Sequence, residues 1–278
     1  METSRPMLLR TNSTYSIIFL TLIGFASHTQ ASNIEGDSGE IIAIPAFNQI
    51  KSGKFLLKKE SQVYQLVSLP FVKNDLLITR HDKDVLVKRV DFGESRITIT
   101  DTSKVNLSQS NQARANTEAI QIKKSLSIST KKITPSFQFI SPVPGIVTSP
   151  FGKQRFINGQ PRSAHLALDL AGSEGTPIVA PLKGKVVLVG DFFYTGNTVI
   201  LDHGHSLFSS YSHMSETKVI VGDFLEQSAV IGLVGSTGRV TGPHLHWTVY
   251  FDGNKVSPES LLKDNYLPSL LQIAVNKT

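Results

Sequence analysis

The chain has 278 residues, enough for one or two domains, and at 40% hydrophobic it can bury an ordinary core. It has no cysteine, which excludes disulfides, thiolate metal sites and lipid attachment at an N-terminal cysteine, so any metal must be held by His, Asp or Glu. The net charge is +6 but uneven: residues 138–278 hold 10 basic and 10 acidic side chains, whereas 32–137 hold 16 and 11. A basic segment of that kind can keep a protein near an anionic polymer or surface. No basic stripe interleaved with aromatics appears, which argues against nucleic acid as a partner.

Taken in chain order, residues 1–31 have the layout of a secretory signal peptide. Arg5 and Arg10 precede an apolar stretch from Tyr15 to Ala26, and small residues follow, placing cleavage after Ala26 or Ala31. The apolar run is short for a bilayer span, so no stable membrane insertion is expected after cleavage. The expected address is the periplasm or the outside of the cell. Residues 32–106 carry short β-prone runs at 41–44, 63–67, 76–79, 85–87 and 97–100, the last alternating cleanly. They predict a separate, small β-sandwich-like N-terminal domain. Residues 107–137 turn to Ser, Asn, Gln and Lys and predict a linker with room for one short helix.

From residue 138 the texture changes again, with 15 of the 20 glycines and 9 of the 13 prolines. Short strands at 177–181, 185–189, 198–202 and 245–250 alternate with turns, which predicts a mainly β, antiparallel domain over 138–265. Residues 266–278 are left as a C-terminal tail.

Six of the eight histidines fall between 165 and 246. In His165-Leu166-Ala167-Leu168-Asp169, the period of two of a strand puts an imidazole and a carboxylate on one face across an alanine. Leu166, Leu168 and Leu170 then face a core. In Gly242-Pro243-His244-Leu245-His246-Trp247 the same period puts two imidazoles on one face and Leu245, Trp247 and Val249 on the other. His213, in Tyr211-Ser212-His213-Met214, is a fifth candidate. Such a set suits zinc, which as a catalyst takes three protein ligands and keeps one position open. The surplus histidines remain for acid–base work. Asp202-His203-Gly204-His205 is a second His-x-His pair, but its glycine and Ser206 indicate a turn, which favours 244 and 246.

The region from about 138 to 262 resembles the lysostaphin/LytM-type zinc endopeptidases. The resemblance is carried by Ser149-Pro150-Phe151-Gly152, His165 to Ala171, Gly175 to Pro181, Tyr211 to Ser215, Gly232 to Gly238 and Gly242 to Trp247. It implies one zinc per chain on His165, Asp169 and His246, and a catalytic pair at His213 and His244. It implies a groove walled by 155–162 and 191–197, with Asn197 binding substrate. It also implies peptidoglycan cross-links as substrate, most specifically D-alanyl–diaminopimelate bonds. Relatives that have lost zinc ligands act instead as wall-binding activators of amidases, a reading that expects substitutions at 165, 169 or 246. The sequence leaves the oligomeric state open.

Overall fold

The computed structural model describes residues 34–46, 56–59, 61–80, 83–127, 130 and 133–276. The signal segment expected over 1–31 lies outside them. Seven strands come first: β1 (Ile34–Asp37), β2 (Ile41–Pro45), β3 (Leu56–Lys59), β4 (Gln62–Ser68), β5 (Leu76–Arg80), β6 (Lys83–Lys88) and β7 (Glu94–Ile97). They make two three-stranded sheets, β1-β6-β5 and β2-β4-β3, while β7 stands apart from both.

The run expected to be a strand over 97–100 leaves its ladder at Ile97. Its alternating burial persists, with Ile99 inside and Thr98 and Thr100 outside. The Asn158 side chain replaces the ladder there: its Oδ1 accepts from Ile99 N at 2.9 Å and its Nδ2 donates to Ile99 O at 3.0 Å. Buried main-chain groups need partners, and a side chain can supply them as well as a strand.

The expected linker contains a 17-residue helix, α1 (Gln109–Ser125), after a 3-10 turn at Thr102–Lys104. Ser108 caps it, its Oγ accepting from Asn111 N at 3.2 Å. Ile122 and Leu126 pack on Leu188, Phe192, Ile200 and Phe208.

The second half holds β8 (Val147–Ser149), β9 (Gln154–Ile157), β10 (Gln160–Pro161), β11 (Leu168–Ala171), β12 (Pro177–Val179), β13 (Gly184–Phe192), β14 (Gly196–Asp202), β15 (Leu207–Thr217), β16 (Phe224–Leu225), β17 (Val230–Val234), β18 (His244–Phe251) and β19 (Asn254–Val256). Ten of these strands form one sheet along the path β16-β13-β14-β15-β18-β11-β8, with β17 joining β12 to β15 and β19 on β18. Pairing within it is antiparallel. Pro177 opens its strand and Pro181 lies beyond it, where a missing N–H costs no ladder bond. The segment expected to be a tail is a helix, α3 (Tyr266–Asn276), which follows the short α2 (Pro258–Leu261). Among the described residues, no helix is long and apolar enough to cross a membrane.

One hydrophobic cluster joins the two halves. Ile41, Ala43, Tyr64 and Leu66 are buried with Phe137, Leu168, Leu245 and Trp247. β7 also pairs in parallel with β9, Glu94 opposite Gln154 through Ile97 opposite Ile157.

Candidate metal and catalytic site

β18 lies between β11 and β15, and this order assembles the site. Asp169 stands opposite His246, Ala171 opposite His244, and Ser212 of β15 opposite His246 on its other side. Leu245, Trp247 and Val249 point into the core as the alternation requires. His165 arrives differently. It precedes β11 in an irregular segment, so no single strand face carries both His165 and Asp169. Leu166 is accordingly only half-buried and lines a cavity instead of the core.

Three donor atoms converge. His165 Nε2 lies 3.0 Å from Asp169 Oδ1 and 3.3 Å from His246 Nδ1, and His246 Nδ1 lies 2.7 Å from Asp169 Oδ1. Among the described residues, these three are the His, Asp or Glu side chains close enough to share an ion, with ligand atoms within 4.8 Å of one another. Donors of a tetrahedral zinc held at about 2.0–2.1 Å lie roughly 3.3 Å apart, so the set fits one after small adjustments.

The surrounding bonds fix the rings. His165 Nδ1 lies 3.2 Å from Pro150 O, which can only accept, so with an ion bound Nδ1 would donate there and Nε2 would turn its lone pair inward. Arg155 holds the other oxygen of Asp169 at 3.1 Å. Burial works to raise the Asp169 carboxyl, but the bonds from His165 and His246 and their charges override it and hold the group far below the usual carboxylate range. Burial lowers His246 to about 4 despite its bond to Asp169. At neutral pH Asp169 is therefore ionised and His246 neutral, the states in which each can ligate an ion.

His213 and His244 stand beside this triad, with ring centroids 5.0 Å apart and His213 5.5 Å from His246. His213 sits at a β-bulge where β14 and β15 lose register, with φ of +67°. A bulge re-aims a side chain, which a regular strand position could not do. Its Nδ1 lies 2.9 Å from Thr237 O, and that of His244 lies 2.8 Å from Gly242 O. Each carbonyl accepts a hydrogen bond from Nδ1–H, which puts the lone pair of both rings on Nε2. Burial, then the charges of His246 and His244, keep His213 neutral well below its ordinary range.

Asn197 falls outside the cavity lining. Its Nδ2 donates to Met214 O at 3.1 Å and Ser215 O at 3.3 Å, next to the His213 bulge. His203 is buried in the core, with Nδ1 2.8 Å from Lys183 O and Nε2 2.6 Å from Ser209 Oγ. The turn expected after it is present, and His205 and Ser206 both have positive φ.

A cavity of ≈ 490 Å³ adjoins the triad, lined by Arg155, His165, Leu166, Tyr194, Arg239 and His246 among others. Val105, at the end of the 3-10 turn, Leu107, in the connection to α1, and Gln112, in α1, close one side. Glu118 ties α1 to the facing hairpin by accepting from Phe193 N at 2.7 Å. Sequence reasoning did not foresee these α1 contacts or Arg239, because no local pattern marks a side chain that reaches the site from a remote segment.

Residues 163–258 match the family described as peptidase family M23. The chain is 35% identical over 115 residues to the DD-carboxypeptidase/endopeptidase Mpg of Neisseria meningitidis, covering 41% of this chain and 26% of that protein. It is 39% identical over 93 residues to the peptidoglycan DD-endopeptidase ShyA of Vibrio cholerae, covering 34% of this chain and 22% of that protein. It thus spans about a quarter of the length of the curated relatives it matches. A Pseudomonas aeruginosa structure described as a peptidase M23 aligns with TM-score 0.61 at 26% identity, over 81% of this chain and 94% of that one.

Proposed function

We propose that the protein is a zinc-dependent endopeptidase of the kind described by peptidase family M23, whose model residues 163–258 match, and that it hydrolyses peptide cross-links of peptidoglycan. Its bond is D-alanyl–diaminopimelate, and it works in the periplasm or outside the cell. Relatives named as DD-endopeptidases support the substrate class, and the apolar segment after Arg5 and Arg10 supports the address.

The observation that carries the reading is the convergence of His165 Nε2, Asp169 Oδ1 and His246 Nδ1 beside two further imidazoles. Those three residues would hold the ion, and one carboxylate among them would leave the centre at net +1. A zinc bound there supplies Lewis acidity, polarising a peptide carbonyl and making water acidic near neutral pH. The Nε2 lone pairs of His213 and His244 take the proton of the attacking water and return it to the leaving amine. Arg155 and Pro150 keep Asp169 and His165 oriented, and Thr237 and Gly242 do the same for His213 and His244. Asn197 acts by positioning the His213 bulge, because its amide nitrogen is engaged with β15.

The complete triad gives no support to the reading as a non-catalytic amidase activator. Elemental analysis of the purified chain should find about one zinc, as for a single catalytic site. Chelation should abolish release of cross-linked muropeptides and zinc should restore it. Hydrolysis that survives thorough chelation would refute the metal assignment.

A further inference from the structure

The cavity beside the triad carries an uncompensated positive charge. Arg155, Arg162, Arg239 and Lys255 all line it, and no Asp or Glu does. Arg155 already shares its charge with Asp169 at 3.1 Å, and its buried Nε has no acceptor. Arg162 meets only a neutral oxygen, Gln160 Oε1, at 2.8 Å. Arg239 stacks on the Tyr194 ring at 4.2 Å from its centroid, with Nη1 3.5 Å from Lys104 O. Among the described residues, neither Arg162 nor Arg239 has a carboxylate partner. Burial opposes the charge on Arg239, and Arg155 and Arg162 add to that opposition. Guanidiniums gathered this way without anions cost free energy, which an incoming anion recovers.

We infer that this cavity is a carboxylate-binding subsite, formed by Arg162 and Arg239 with Arg155 behind them, that selects a peptide bearing a free carboxylate next to the bond to be cleaved. The inference rests on the peptidase reading above and names its substrate class more closely. The guanidinium fork matches a carboxylate in two parallel hydrogen bonds, which a lysine or an amide cannot reproduce. His165 and His246 line the same cavity, so a carboxylate held there lies within a residue or so of the scissile carbonyl. Tyr194 fixes the plane of Arg239, which reduces the ordering lost on binding.

The test uses the zinc-loaded full chain and two synthetic cross-linked peptides that differ only in a free carboxylate or a carboxamide on the residue flanking the scissile bond. The wild type should prefer the acid at least about tenfold in kcat/KM, chiefly through KM, as for a charged hydrogen bond. Arg162→Gln and Arg239→Gln should each bring that ratio toward one. Because the readout is a ratio within each protein, a partly unfolded variant does not distort it. Calorimetric titration of both peptides into metal-free chain measures the same preference without turnover. If neither peptide is cleaved but the acid binds more tightly, the peptidase reading fails and the subsite survives. If both are cleaved and bound alike, or both variants keep the wild-type ratio, the subsite is overturned and the peptidase reading stands.

Discussion

Two His-x-His pairs occupy this chain, and what surrounds each imidazole decides its work. His246 faces other lone-pair donors, whereas His203 is enclosed by Lys183 O and Ser209 Oγ with no second ligand. Burial lowers His203 to about 4 from its ordinary 6.5. The folded chain holds it neutral down to that pH, while the unfolded chain protonates it near 6.5, so acid feeds protons to the unfolded state alone. Stability should fall as pH drops from about 6.5 to 4, by up to about 3 kcal/mol from this residue. Urea unfolding of metal-free chain between pH 7 and 4.5 measures it. His203→Gln should start less stable and show a shallower pH slope; an unchanged slope would refute the assignment. The ligand and catalyst roles separate in the same way. His246→Ala removes a donor and should lose zinc together with activity. His244→Ala should keep zinc yet lose about 10²–10⁴-fold in turnover, as for loss of a general base. Retention of zinc by His246→Ala with loss from His244→Ala would reverse the pair. The sequence made the histidines visible because imidazole is a rare and chemically distinctive side chain. It left His203 and His246 similar, because burial is a property of the fold and not of the dipeptide.

At the scale of elements, alternation was legible where strands are regular and failed where they are interrupted. β18 presents its odd and even residues as its pattern predicts. His165 reaches Asp169 from an irregular segment, and His213 from a bulge, and neither feature has a period to detect. The bulge depends on the turn beside it. Gly196 has φ of +58°, and a Cβ there would overlap Thr237 Oγ1 and press on its main chain. Thr237 is the residue whose carbonyl holds His213 Nδ1 and whose Oγ1 donates to Met214 O at 2.8 Å. Gly196→Ala should therefore displace His213 while leaving the triad in place. Zinc content should be retained and turnover should fall roughly 10–100-fold, the scale of a 1 Å misplacement. Loss of zinc in this variant, or full activity with a normal Tm, would show that the turn does not set the His213 position.

For the whole molecule, the family match begins at residue 163, and composition alone marks a boundary near 138, so a chain starting at Pro135 looks self-sufficient. The core argues otherwise. Ile41, Ala43, Tyr64 and Leu66 are buried in the same cluster as Leu168 and Trp247, directly behind the strands that carry Asp169, His244 and His246. Phe92 meets Phe151 edge-on at 5.7 Å between centroids, and β7 pairs with β9, the strand of Arg155. Ser257 N donates to Gly39 O at 2.8 Å. A sequence reading finds each half's strands but not which faces they bury against each other, because alternation reports that a face is covered and not by what. Removing residues 32–134 would return the facing surface to water. Each large side chain so uncovered costs about 1.5–3 kcal/mol, against a total stability of roughly 5–15 kcal/mol. A chain of 135–278 should therefore unfold far below the Tm of 32–278 or without a cooperative transition, and its loss of muropeptide cleavage should follow its loss of fold. Differential scanning calorimetry of the two zinc-loaded chains decides it. Equal Tm values would show that the N-terminal strands only cover the peptidase domain, and activity of the shorter chain would then report whether that cover restrains it.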